Sequence, residues 1–330
     1  MNLSDLVRSP EGDLFYTRRD PKDPRMGELV RPLEREALDA ALPQADLVFV
    51  GVPEDRGIVA NRGRPGAVEG PRALRRLFYR MTPGFNPDIA DLIMVDAGDV
   101  RVAGCTLEEV HQRLRSAVAQ IAAAGALPVV FGGGHDLSFP GLAGLVEGLS
   151  LESSRLGVIN VDSHLDVRDL SQGITSGTPF YRALTELPHQ ALLGRSFVEY
   201  SVQEPYNSPV YYQWVREQGA TVMTYKTVYG RHMEMFLQAL RIAGEQTRAI
   251  GVSVDIDAAS NHDAPGASSS NPSGLSAEDL EKIAYLAGRT EKVRYLDIME
   301  LSPPLDQDGR TASLCASVLF WFLKGFCERR

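Results

Sequence analysis

Short apolar runs recur along the whole chain: Leu47–Val52, Leu92–Ala97, Leu127–Phe131, Leu156–Val161, Ala191–Leu193, Thr221–Thr224, Ala249–Val254 and Val293–Ile298. Runs of this length without alternation are those of strands buried on both faces. Between most of them lie stretches of helical periodicity, such as Gly70–Met81, Leu107–Ala124, Met233–Glu245 and Ala277–Arg289. Thr106 with Glu109 three residues on predicts a capping box at the start of the second of these helices. Ser276 is a predicted N-cap for the helix at Ala277, with Asp279 in its first turn. Strand–helix alternation of this kind predicts an α/β fold: a single doubly wound parallel sheet with helices on both faces. No break in composition divides the chain, so one domain is expected over residues 1–330, with Met1–Pro32 an extended N-terminal segment.

Three of the apolar runs end in polar clusters that change the picture. Leu156–Asp169 leaves its apolar part through Asp162, His164, Asp166 and Arg168, every second position. On an extended backbone, that period points all four side chains to one side. Leu127–Asp136 ends in three glycines, His135 and Asp136, and Ala249–Asp257 delivers Asp255 and Asp257. Open α/β sheets hold ligands at the carboxyl ends of their strands, so the three ends can meet in one crevice. His135, Asp162, His164, Asp166, Asp255 and Asp257 then make two imidazoles and four carboxylates. The imidazole–carboxylate mixture suits divalent transition metals, the carboxylates favouring harder ions such as manganese. Four ionised aspartates around one divalent cation leave a costly buried excess charge, whereas around two cations they balance. Two such ions hold and deprotonate one water, and the natural reaction class is hydrolysis at polarised carbon or phosphorus.

Gly-Gly-Gly-His-Asp, Asp-Ser-His-Leu-Asp and Ser-Val-Asp-Ile-Asp together resemble the ureohydrolase superfamily of arginase, agmatinase and formimidoylglutamase, from about Phe49 to Leu323. The resemblance implies an arginase-like fold and two Mn2+ per chain on those six ligand positions, with Asp255 bridging both ions. It also implies a carboxylate at Glu300 that orients the cationic head of the substrate, and a second task for Asp166 as hydrogen-bond partner of the nucleophile. Within the superfamily the chain departs from arginases and agmatinases. Ser176, in Ser176-Gly177-Thr178-Pro179, stands where they have a histidine thought to shuttle protons, and Arg168 stands where arginases have Asn. Both features are similar to formimidoylglutamases. The expected reaction is N-formimino-L-glutamate plus water to L-glutamate and formamide, a step of histidine degradation. A guanidine hydrolase (agmatinase, arginase or a guanidino-acid ureohydrolase) is the alternative, and a catalytically silent metal-binding assembly subunit is the alternative of another class.

Arg168 fits the first substrate because an arginine forks onto a carboxylate and stays charged in any pocket. It would repel the ammonium of agmatine. It is read as a substrate contact in preference to a salt bridge with Asp169 or Asp136. Ser176, Gly177 and Thr178 are candidate contacts beside it. The long loop Glu54–Pro71 follows a strand and should sit at the same edge. Asn61, Arg62 and Arg64 are within reach there. For the individual side chains, solvation or pairing with Glu54 and Asp55 is slightly favoured, and Asn61 is kept as a candidate contact. Among the other histidines, His111, His189 and His232 are expected on the surface. His262, in the loop leaving Asp257, is a possible proton shuttle, with a solvent-facing position the expected one.

A net charge of −9 argues against nucleic acid or an anionic membrane surface as partner. Met1–Pro32 has no apolar core of the signal-peptide kind, and Ser313–Phe326 is too short to span a bilayer and reads as a buried C-terminal helix. Cys105, Cys315 and Cys327 are odd in number and outside the metal motifs, as in cytoplasmic proteins with reduced thiols. A small-molecule substrate and a homo-oligomer, trimer or hexamer as the family favours, complete the expectations.

Overall fold

The computed structural model describes residues 2–32, 35–85 and 87–329. The ends of the expected domain, Met1 and Arg330, lie just outside them. Among the described residues ten strands form one sheet. In chain order they are β1 (Val7–Arg8), β2 (Arg31–Pro32), β3 (Leu47–Gly51), β4 (Met94–Val100), β5 (Leu127–Phe131), β6 (Leu156–Val161), β7 (Leu192–Val202), β8 (Thr221–Thr224), β9 (Ala249–Asp255) and β10 (Val293–Met299). The order across the sheet is β1-β4-β3-β5-β10-β9-β6-β7-β8, with β2 also beside β4. All pairings are parallel except that of β1 with β4.

Because side chains alternate along a strand, each central strand feeds two hydrophobic layers. Phe49, Phe131, Ile159 and Val252 lie in one, with the helices Gly70–Phe78, His232–Gly244, Ala277–Arg289 and Arg310–Cys327. Val48, Val50, Val130 and Val158 lie in the other, with Leu107–Ala123, Ser138–Gly148 and Pro179–Glu186. The capping boxes at Thr106 and Ser276 are both present. Among the described residues no helix is long and apolar enough to cross a membrane.

Four features differ from the expectations. The segment before Pro32 is stitched into the body: Val7–Arg8 adds the antiparallel edge strand, and Leu3, Leu6 and Val7 are buried. Glu54–Pro71 contains a short helix, Arg56–Ala60, whose residues carry no long periodic pattern. His111 and His232 are buried, each on the inward side of an amphipathic helix. Finally, β6 ends at Val161, so Asp162–Arg168 is a bent loop and not extended strand; Asp166 sits at φ 46°.

Register explains why the strand ends converge. Phe131 is level with Ile298, Ile298 with Val254, and Val254 with Val161. The neighbouring strands β5, β10, β9 and β6 therefore release their following residues at one height, side by side.

Candidate metal centre

All six sequence-derived ligand candidates meet at that edge, in two overlapping groups. His135, Asp162, Asp166 and Asp255 form one; Asp162, His164 and Asp257 form the other, the ligand atoms in each lying within 4.8 Å of one another. His135 Nδ1 lies 3.2 Å from Asp162 Oδ2, 2.9 Å from Asp166 Oδ2 and 3.3 Å from Asp255 Oδ2. His164 Nδ1 lies 3.4 Å from Asp162 Oδ1 and 3.0 Å from Asp257 Oδ2. Asp162 is the carboxylate shared by both groups, whereas Asp255 belongs to the first alone.

The glycines before His135 have a local reason. A Cβ on Gly133 would run into the carbonyl oxygen of Glu54. That same carbonyl accepts the Gly134 amide at 2.9 Å, and Gly133 O accepts the Glu300 amide at 2.9 Å. The triple glycine thus lets β5, the loop after β3 and the end of β10 close together under the ligands.

Electrostatics test whether divalent cations suit this set. Burial, and then the charge of neighbouring carboxylates, pushes Asp166 and Asp255 above the usual carboxylate range. Asp257 is raised as well, burial being the largest cause. Burial also opposes ionisation of Asp162, but hydrogen bonds from His135 and His164 hold its carboxyl below that range. Acids that resist ionisation side by side, with imidazole nitrogens aimed between them, are complementary to cations of charge two. The donor set fits a pair of such ions, with Asp162 placed to serve both.

A layer beneath the ligands, the structure adds positioning groups that the sequence motifs did not single out. Ser253 Oγ lies 2.9 Å from His135 Nε2 and donates to Asp297 Oδ1 at 2.6 Å. This holds the ring with Nδ1 towards the carboxylates, as ligand histidines require. Ser163 Oγ donates to Asp257 Oδ1 at 2.7 Å and accepts from Asn271 Nδ2 at 2.7 Å. His111 Nε2 lies 2.8 Å from Oδ2 of Asp136, the residue that follows His135. The alternation Ser253–Asp255–Asp257 was the available signal for the first. His111 and Asn271, far away in sequence, offered none.

A cavity of about 410 Å³ opens over the cluster. His164, Asp166, Asp255 and Asp257 border it, and so do Glu300, Arg168, Asn61, Arg62 and Ser176. Glu300 is buried, and Oε1 accepts the His135 amide at 3.0 Å. Its Oε2 makes no hydrogen bond. Burial pushes this carboxyl up to about 8. Glu300 stands at φ 68° and Asp166 at φ 46°. Left-handed backbone at residues without glycine's freedom costs on the order of 1–3 kcal/mol each and clusters at functional sites.

Arg168 makes no ion pair with Asp169 or Asp136. Its guanidinium carbon lies 5.7 Å from the centre of the Tyr211 ring. A Cβ at Gly177 would come within 2.7 Å of Arg168 Cδ. Gly177 therefore backs the arginine and does not border the cavity itself. Thr178 is also not a cavity residue: it is buried, and its hydroxyl donates to Thr175 O at 2.7 Å. Ser176 Oγ accepts from Asn61 Nδ2 at 3.1 Å, joining two loops at the rim. Arg64 is held by the carbonyls of Ala267 and Ser268, and Arg56 pairs with Glu54. His262 has an 87 % exposed side chain paired with Asp263 and lies outside the cavity.

The fold and this geometry have known counterparts. Residues 45–324 match the model of the Arginase family. A formimidoylglutamase of Halobacterium salinarum is 32 % identical over 324 residues, 95 % of this chain and 97 % of that protein. Another, of Clostridium tetani, is 30 % identical over 301 residues, 90 % of this chain and 88 % of the other. The crystal structure of Trypanosoma cruzi formiminoglutamase with Mn2+2 superposes with a TM-score of 0.84 at 34 % identity, covering 93 % of this chain and all (100 %) of that one. With a sheet of this order, six metal-type ligands at its carboxyl edge and a family match spanning most of its length, the chain belongs to the arginase family.

Proposed function

We propose that the chain is a binuclear manganese hydrolase that converts N-formimino-L-glutamate and water to L-glutamate and formamide. The observation that carries this reading is the pairing, in one cavity, of a buried carboxylate oxygen, Glu300 Oε2, that has no hydrogen-bond partner among the described residues and a guanidinium, Arg168, that has no ion pair among them. The substrate has the complementary charges, an amidinium head and carboxylates. Glu300 Oε2 would accept the amidinium N–H and turn the amidine carbon towards the ligand cluster. Arg168, beside Gly177 and Tyr211, would fork onto a carboxylate.

His135, Asp162, Asp166 and Asp255 would hold one ion, and Asp162, His164 and Asp257 the other. When bound, the two ions supply Lewis acidity that makes water nucleophilic at neutral pH. Asp166, at the cavity wall, would take the proton that the attacking water loses. That proton is needed by the departing nitrogen of glutamate as the C–N bond breaks. We assign to the chain one catalytic domain, a cytoplasmic location, in keeping with the unpaired thiols of Cys105 and Cys315, and a homo-oligomeric state. The test is a product assay of the manganese-loaded protein with formiminoglutamate, arginine, agmatine and guanidinobutyrate. Formamide from the first is expected; urea from any of the others in preference would reverse the assignment.

A further inference from the structure

Arg168 is not alone at the cavity. Arg62 lines it too, and among the described residues its side chain has no hydrogen bond and no ion pair. Its backbone is as telling as its side chain. The helix Arg56–Ala60 ends with Asn61, and Arg62 follows in the left-handed region at φ 66°, its amide bonded to Val59 O at 2.9 Å. That place after a helix is ordinarily taken by glycine, because a Cβ there is strained. In this chain the glycine comes one residue later, at Gly63. A long cationic side chain therefore occupies a position that favours none, on the wall of the site already described. Together with Asp166 and Glu300 it is the third non-glycine residue of this cavity at positive φ.

The two arginines reach the cavity from different loops. Arg168 lies two residues beyond Asp166, close to the reacting centre. Arg62 stands on the facing loop, which Asn61 ties to Ser176 beside Arg168. Formiminoglutamate carries two carboxylates, one on the carbon next to the amidine nitrogen and one three carbons further out. Resting on the function proposed above, we infer that Arg62 is a specificity-determining residue: it takes the distal carboxylate while Arg168 takes the near one. The cavity then selects an amidine with two anionic ends, with one cation for each. A substrate missing either carboxylate loses one charge-assisted contact.

The experiment compares formiminoglutamate with N-formimino-L-glutamine, which lacks the distal charge, and with 4-(formiminoamino)butyrate, which lacks the near carboxylate. Wild-type enzyme should prefer formiminoglutamate over either by about 10- to 100-fold in kcat/KM, the range of a charge-assisted hydrogen bond. Arg62→Ala should raise KM more than it lowers kcat. It should bring the first preference close to one and leave the second standing; Arg168→Ala should do the reverse. Arg62→Lys should restore part of the first preference. Arg62→Gly supplies the control for folding, because glycine is at ease at φ 66°. It should melt no lower than wild type while losing the same preference. An Arg62→Ala enzyme that keeps both preferences, loses both alike, or loses only the second would overturn the inference, and so would an Arg62→Gly protein that melts well below wild type. If wild type releases no formamide from formiminoglutamate, the proposed function falls and this inference with it. An active wild type with an unchanged Arg62→Ala sinks the inference alone.

Discussion

Among the described residues Asp162 alone is a carboxylate placed between both imidazoles, and this gives it a different weight from its neighbours. Asp162→Asn should release both ions, since an amide offers each of them a weaker ligand. Asp255→Asn removes a ligand of the first group only and should retain at most one ion with activity lost. Metal content by mass spectrometry, taken with turnover, separates the two; two ions and normal turnover in either variant would refute the ligand assignment. Arg168 tests recognition without touching the metals. Losing a charge-assisted fork costs on the order of 2–4 kcal/mol, roughly 30- to 1000-fold in kcat/KM. Arg168→Ala should show that loss on formiminoglutamate with two metals retained, and Arg168→Lys only partial recovery. Normal turnover by Arg168→Ala would remove its role. At this scale the cluster of candidate ligands was legible because polar residues at spacing two, or after a glycine run as at His135, mark the end of an apolar strand in a sequence. The residues that orient them were less so: Ser253 was marked only by its alternation with Asp255 and Asp257, and His111 becomes a neighbour of Asp136 only once its helix packs on β5.

At the level of elements, the central strands were readable almost to the residue, because strands buried on both faces are continuous apolar runs. Leu127–Phe131 and Leu156–Val161 coincide with their expected bounds, as does the half-buried edge strand Thr221–Thr224. The helix Ser138–Gly148 was not foreseen, for a related reason: every residue from Ser138 to Val146 is buried, so no polar face sets a period. The bend after Val161 was hidden too, since alternation of charge fits an extended strand and a curved loop equally well. One junction between elements needed the structure entirely. Arg75, on the helix Gly70–Phe78, is 1 % exposed and bonds Asp96 of β4 through Nε at 2.8 Å and Nη2 at 2.9 Å. Its Nη1 bonds Asp99 at 2.6 Å, and Tyr79 donates to Asp96 at 2.5 Å. Removing one side of such a pair leaves the other charge buried and typically costs about 3–5 kcal/mol. Arg75→Ala should therefore lower unfolding free energy by that order in a denaturant titration, and Asp96→Ala added to it should cost less than the sum. A loss under about 1 kcal/mol would show that the network is not a joint between helix and sheet.

For the whole molecule, the decisive feature is where the buried acids lie. Asp162, Asp166, Asp255, Asp257 and Glu300 crowd one edge of the sheet, released by strands β6, β9 and β10, and burial opposes the ionisation of each of them. These strands sit in the middle of the sheet, so repulsion among the acids acts on the packing of both layers and is not confined to a surface loop. Cations that bind the folded chain and not the unfolded one stabilise it by mass action, about 2.7 kcal/mol per site at a hundredfold excess over Kd. Stripping the metal with a chelator should lower the melting temperature, and manganese should restore it as its concentration rises; magnesium, which demands oxygen ligands in near-ideal octahedral geometry, should restore less. The same titration on Asp162→Asn should be nearly flat, because the shared ligand is gone. A wild-type melting temperature indifferent to chelator and manganese would mean that the acidic edge is held by the protein alone, and the binuclear centre would have to be abandoned.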